Sequence, residues 1–296
     1  MVRRPSKDRA LAPLCILRAM SDVASSGRTS TGLAFEIAGA GEPIVLIHAG
    51  VADRRMWDPQ WAAFSAAGRV VRYDLRGYGE SLPPTGPWSQ HADLLGLLGE
   101  LGIDRAHFVA ASVGAGIAVE AALAQPSIAA SLVLAAPGGA LYGEATDDLR
   151  TVWHEEVDAL DRGDLDGAVE VNLRAWVDGP HRQPDAVDPE VRAFVGRMQR
   201  DAFELPEWDS ESAPETELEP PAHARLAEVA CPTLVVVGEG DQIATLEAAR
   251  RLATELPLSK LVAWPEVAHM LTLERPADFE RLVLDHLAAV RILAST

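Results

Sequence analysis

Short continuous apolar runs alternate with longer segments of helical period along most of this chain. LAFEI (33–37), IVLIH (44–48), RVVRYD (69–74), AHFVA (106–110) and SLVLAA (131–136) have the length of strands. Apolar runs without alternation are what strands buried on both faces require. Between them MWDPQWAAFSAAG, HADLLGLLGELG and VGAGIAVEAALAQ carry a helical period and stop at Gly68, Gly102 and Pro126. The rhythm breaks over residues 140–222, where LRTVWHEEVDALDRG, DLDGAVEVNLRAWVDG and PEVRAFVGRMQRDAF are amphipathic helices with no buried strand among them. The acidic, proline-rich PEWDSESAPETELEPPAH that follows suits a mobile or extended loop. Alternation resumes with TLVVVG (233–238), helix TLEAARRLATEL, strand KLVAW (260–264) and a last helix from Pro276 to about Ile292.

Strands joined through helices imply an α/β fold with a mostly parallel central sheet and helices on both faces. The chain then divides into a core, 31–139 and 223–296, and an all-helical cap insertion, 140–222. Residues 1–30 have basic residues first and an apolar part broken by Pro13, with no small-residue cleavage site. They are expected to form a disordered extension, and Met20 offers an alternative start within it.

Composition narrows the function classes. The chain has 296 residues and a formal net charge of −18, which repels nucleic acid and anionic membrane surfaces. No apolar run approaches the roughly 18 residues of a membrane span. Two isolated cysteines, Cys15 and Cys231, form no disulfide framework and fit a reduced, cytoplasmic setting. A small-molecule substrate is expected, handled by a monomer or homodimer, with no cofactor and no metal: there is no zinc-like Cys/His cluster and no phosphate-cradling glycine loop.

In an open α/β sheet ligands bind beyond the carboxyl ends of the strands. Ser112 directly follows the strand AHFVA and precedes a helix, with Ala110 and Gly114 two positions either side. A strand that becomes a helix within one or two residues strains the turning residue, and bulky neighbours would collide across the turn. The hydroxyl is thereby presented at a helix N-terminus, where free N–H groups favour developing negative charge. Asp241 follows strand 233–238 and His269 follows strand 260–264. Singly these are an N-cap serine, a turn aspartate and a surface-loop histidine. Together, in the order Ser, Asp, His at three strand ends, they match a nucleophile, acid and base. N–H donors for an oxyanion are expected from Val113 and from the loop HAGVADRRMW, with Gly50 first and Val51 next. His48 has no acid partner in the sequence and is expected to tie loops together. Val51, Trp57 and Met270 are the expected substrate contacts, whereas Trp153, Trp176, Phe194, Met198 and Phe203 are expected mainly to build the cap's own core. An apolar roof favours a mainly hydrophobic substrate.

LIHAG, YDLRGYGES, AASVGAG, GEGD and AHMLTLERP, spread over residues 33–292, resemble the α/β-hydrolase fold family, and within it small bacterial serine hydrolases with a helical cap. The resemblance implies an esterase-like enzyme with Ser112, Asp241 and His269 as its triad and N–H donors at Gly50 and Val113. It also implies that Asp74, Arg76 and Ser81 brace a loop rather than react. Ala110 and Ala49 stand where the family has glycine. Lactonase, enol-lactone or carbon–carbon bond hydrolysis would use the same triad, as would a perhydrolase-like activity. A ligand receptor and a non-hydrolytic cyclase are the readings from other classes.

Overall fold

The computed structural model describes residues 25–206, 208 and 210–294. Eight strands form one sheet: β1 (Ser25–Arg28), β2 (Ala34–Ala38), β3 (Pro43–Ile47), β4 (Arg69–Tyr73), β5 (Ala106–Ala111), β6 (Ala129–Ala135), β7 (Thr233–Gly238) and β8 (Ser259–Trp264). Their spatial order is β1-β2-β4-β3-β5-β6-β7-β8. The first two pairings are antiparallel and every other pairing is parallel. This is the mostly parallel α/β architecture expected from the unalternated apolar runs.

The pleat divides each strand between two cores. Ile44, Leu46, Val109, Val133 and Val236 face one side, where they meet Phe64 of α1 (Asp58–Ala67) and Phe279, Val283 and Leu287 of α9 (Pro276–Ala294). Val45, Ile47, Phe108, Leu134 and Val235 face the other. There they meet Leu94 and Leu97 of α2 (Gln90–Glu100), Ala118 of α3 (Val113–Ala124) and Leu252 of α7 (Ile243–Glu255). Helices therefore cover both faces, and the strand tips are left for chemistry.

Between β6 and β7 lie α4 (Asp147–Asp161), α5 (Leu165–Asn172) and α6 (Pro189–Phe203). Leu149, Val169, Leu173, Val195 and Met198 join these helices to the core cluster on the α1 and α9 side. The segment expected to be one helix through Gly179 is two elements: after α5 the backbone widens into a π-helical turn, Leu173–Asp178. A short α8 (Leu271–Glu274) precedes α9.

Of the extension expected over residues 1–30, the first 24, with Cys15, lie outside the described residues. Ser25–Arg28 are a correction: they form an edge strand, paired Ser25 to Ile37 through Arg28 to Ala34. SSGR has no apolar position to announce a strand, and the strand is fully exposed, held by backbone pairing. Among the described residues no helix is long and apolar enough to cross a membrane.

Candidate active site

Ser112 sits between β5 and α3 with φ 55° and ψ −121°, a left-handed backbone that a side chain rarely adopts. Its own backbone is clamped on both sides: its N–H donates to the Ala135 carbonyl (2.9 Å), and its carbonyl accepts from Gly138 (3.1 Å). The small residues flanking it have a steric cause. A Cβ on Gly114 would lie 2.7 Å from the carbonyl oxygens of both Ile47 and His48, so α3 packs directly on the end of β3. Ala110, where the family has glycine, is fully buried inside β5.

Val113 is the first residue of α3, so its N–H has no intrahelical acceptor. Gly50, on the loop after β3, faces it: a Cβ there would stand 3.5 Å from Val113 Cγ1 and 3.4 Å from the Tyr78 hydroxyl. His48 anchors that loop. Its Nδ1–H donates to the Ala49 carbonyl (2.8 Å) and its Nε2 accepts from Leu75 N–H (2.9 Å), which fixes the tautomer. Burial lowers its pKa, so the ring stays neutral in its bracing role. The following loop is braced by Ser81, donating to the Asp74 carbonyl at 2.6 Å, and by Arg76, paired with Asp93 at 2.6 and 2.8 Å.

His269 and Asp241, 28 residues apart, meet beyond the tips of β7 and β8. The ring Nδ1–H donates to the carboxylate at 2.8 Å (Oδ2) and 3.0 Å (Oδ1), and both side chains are buried. Asp241 Oδ1 also accepts the Gln242 N–H at 2.7 Å. The remaining ring nitrogen, Nε2, is thereby left for other chemistry, and the ring lies 4.7 Å from that of Trp176 in the π-helical turn.

Ser112 and His269 line one cavity of about 700 Å³. Among the described residues no hydrogen bond joins their side chains, a looseness common in ligand-free sites. Gly50, Val51 and Val113 line the same cavity. Two expected contacts do not. Trp57 is fully buried beneath, its ring tilted against Phe279 of α9 at 6.2 Å, and Met270, 1% exposed, faces the core at the start of α8. Both are apolar residues next to site loops whose backbone turns them inward.

The insertion supplies wall instead of only its own core: Trp153, Glu156, Asn172 and Trp176 all line the cavity. The wall mixes this apolar surface with carboxylates. Glu120 of α3 and Glu215 and Glu217 of the acidic loop also face it, as do Tyr78 and Tyr142. Burial, then the charges of Glu215 and Glu217, push the Glu120 carboxyl up to about 7. Burial, then Glu156 and Glu215, push the Tyr78 phenol up to about 12. A signal for Glu120 exists in the sequence: one carboxylate inside the apolar helix AGIAVEAALA, where burial demands a reason. Nothing in the acidic loop's composition marks it as cavity wall. No group of three or more His, Cys, Asp or Glu among the described residues is arranged to hold a metal ion.

Residues 44–282 match the model of the alpha/beta hydrolase family. The chain is 31% identical over 259 residues to a 2-hydroxy-6-oxononadienedioate/2-hydroxy-6-oxononatrienedioate hydrolase of Pseudomonas putida, covering 77% of this chain and 82% of the relative. It is 23% identical to a 3-oxoadipate enol-lactonase of Acinetobacter baylyi, covering 77% and 81%. A thermophilic esterase from Thermogutta terrifontis shares the fold, with a TM-score of 0.70 at 24% identity over 90% of this chain and 99% of that one. The matched span contains the strained serine, the paired aspartate and histidine and the loops that carry them, and the chain belongs to the alpha/beta hydrolase family.

Proposed function

We propose that the chain is a serine hydrolase that cleaves carboxylic esters of small molecules through an acyl-enzyme. The observation that carries this reading is the opening of a strained Ser112 and an Asp241-paired His269 onto one cavity. In this reading His269 Nε2 takes the Ser112 proton as Oγ attacks the ester carbonyl carbon. Asp241 holds the Nδ1–H tautomer and stabilises the imidazolium. The N–H groups of Gly50 and Val113 receive the oxyanion, each such donor contributing about 3–4 kcal/mol to the transition state. The imidazolium returns the proton to the departing alkoxide. Water, deprotonated by the same ring, then attacks the acyl carbon, and the ring returns that proton to Ser112 Oγ as the acid leaves. The helices between β6 and β7 act as a cap over the acyl or alcohol pocket.

A fluorophosphonate probe tests the assignment. The protein is expected to be labelled at Ser112, and Ser112→Ala to lose both labelling and p-nitrophenyl ester turnover by at least about 10⁴-fold. Unchanged turnover in that variant overturns the mechanism. The names of the P. putida and A. baylyi relatives favour a second reading, carbon–carbon bond or enol-lactone hydrolysis with the same triad. A panel of esters, lactones and one vinylogous diketone separates the two. The P. putida relative is named for a dioate, and a wall carrying four glutamates with no lysine or arginine favours an uncharged or cationic ester over such a dianion.

A further inference from the structure

The cavity carries charge of one sign. Its lining includes Glu120, Glu156, Glu215 and Glu217 and neither lysine nor arginine, His223 and His269 being its basic side chains. Glu156 accepts from the Asn172 side-chain amide. Glu215 and Glu217 are exposed, on the acidic segment that lines the cavity. Glu120 differs from all three. It lies eight residues after Ser112 on α3, about 12 Å along the helix axis, and it is only 9% exposed. Among the described residues its carboxyl makes no hydrogen bond. The nearest group able to become cationic is His91, with Nδ1 at 3.9 Å, beyond hydrogen-bonding range. A carboxylate buried this far with no hydrogen bond and only a distant histidine beside it is costly, and a cationic guest in the cavity would offset that cost.

A second feature of the wall points the same way. Tyr78, Tyr142, Trp153 and Trp176 present aromatic surface to the same space. Aromatic faces beside carboxylates attract ammonium and quaternary ammonium groups, through the ring quadrupole and through direct charge. The guanidinium nearest Gly143, that of Arg251, is held by the His223 carbonyl at 2.6 Å and by Glu255, and does not line the cavity.

We infer that the cavity accepts a substrate bearing a cationic nitrogen, seated between Glu120, the Glu215–Glu217 segment and the aromatic wall while its scissile carbonyl reaches Ser112. The position of the carbonyl rests on the ester reading above; the cation seat does not. Two experiments keep them apart. The first is binding, read by calorimetry on the Ser112→Ala protein, which needs no turnover. Phenyltrimethylammonium is expected to bind at least about tenfold more tightly than tert-butylbenzene, its isostere with carbon in place of nitrogen. Combined Glu120→Gln and Glu215→Gln substitution is expected to remove most of that difference. The second is turnover of p-nitrophenyl trimethylammoniohexanoate, its carbon isostere and p-nitrophenyl hydrogen suberate. The order of kcat/KM is expected to be cation, neutral, anion, with the cation-to-neutral ratio falling about three- to tenfold in the doubly substituted protein. Equal binding of the two benzene probes, or a neutral or anionic ester turned over as well as the cationic one, overturns the inference and leaves the esterase reading intact. Binding of the ammonium probe with no ester turned over does the reverse.

Discussion

Ser112 shows how much of a site one residue's surroundings determine. Its positive φ is imposed by β5 ending where α3 begins, and Gly114 is the reason α3 can start so close to β3. Gly114→Ala forces a methyl against two backbone oxygens that cannot retreat. The expected result is a loss of about 2–4 kcal/mol of stability in urea denaturation, with ester turnover falling further than the unfolded fraction accounts for. Glu120 gives a pH-dependent prediction. Burial, then the charges of Glu215 and Glu217, raise its pKa from the ordinary carboxylate value of 4.5 to about 7, so between these values the folded state holds a proton that the unfolded state has released. Stability from this group is present below about pH 4.5 and is lost as pH rises toward 7. Glu120→Gln is therefore expected to stabilise the protein by about 1–2 kcal/mol at about pH 8, after allowance for partial solvent screening, and by little at about pH 5. Equal effects at the two pH values would show that the carboxyl does not titrate in this range. The three residues legible at strand ends, Ser112, Asp241 and His269, were visible because a parallel sheet makes position after a strand informative. Glu120 lies in the middle of a helix, where the same logic is silent about which face it takes. Trp57 and Met270 adjoin site loops yet turn into the core, because adjacency to a site loop says nothing of the direction a side chain points.

At the scale of elements, the segment after α5 is bound to the loops that carry Asp241 and His269. In the π-helical turn the Ala175 carbonyl accepts from Gln242 Nε2 at 2.8 Å, one residue from Asp241. π-helical turns are often found where a helix serves a functional site. Gly179, at φ 77°, packs so closely that a Cβ would stand 2.5 Å from the Gly240 carbonyl and 2.8 Å from Ala268 Cβ. Arg182 forks onto Glu274 at 2.6 and 2.9 Å and reaches the Glu266 carbonyl, while Glu274 accepts the Ala268 N–H at 3.2 Å. Arg182 is thus a positioning residue for the histidine loop. Arg182→Ala is expected to lower kcat about tenfold with a smaller change in KM, because a slight displacement of a catalytic group is costly. Arg182→Lys, which retains charge without the fork, is expected to recover only part of that loss. A change confined to melting temperature would mark the pair as structural only. The sequence pattern placed all three insertion helices but merged α5 with the π turn, where the Ala175 carbonyl takes a tertiary donor, Gln242 Nε2, that periodicity does not record.

For the whole molecule, the net charge of −18 and the acidic cavity act together. Such a field gathers cations and repels anions over a range set by salt. Raising ionic strength from about 0.02 to about 0.5 M is expected to lower kcat/KM several-fold for a cationic ester and to leave its neutral isostere nearly unchanged. A flat response for both would mean that the acidic surface lies too far from the reacting molecule to matter. The fold was legible at this scale because unalternated strands have few homes other than a helix-covered parallel sheet. The edge strand Ser25–Arg28 was not, since only its backbone takes part.

The anchorage at Ala175, Gly179 and Arg182 bears on traffic through the enzyme. Residues 175–182 and the loops of Asp241 and His269 share one footing, so a wholesale shift of that segment would also move the imidazole. Entry is then expected beside Trp153 and the Glu215 segment, which are exposed and line the cavity.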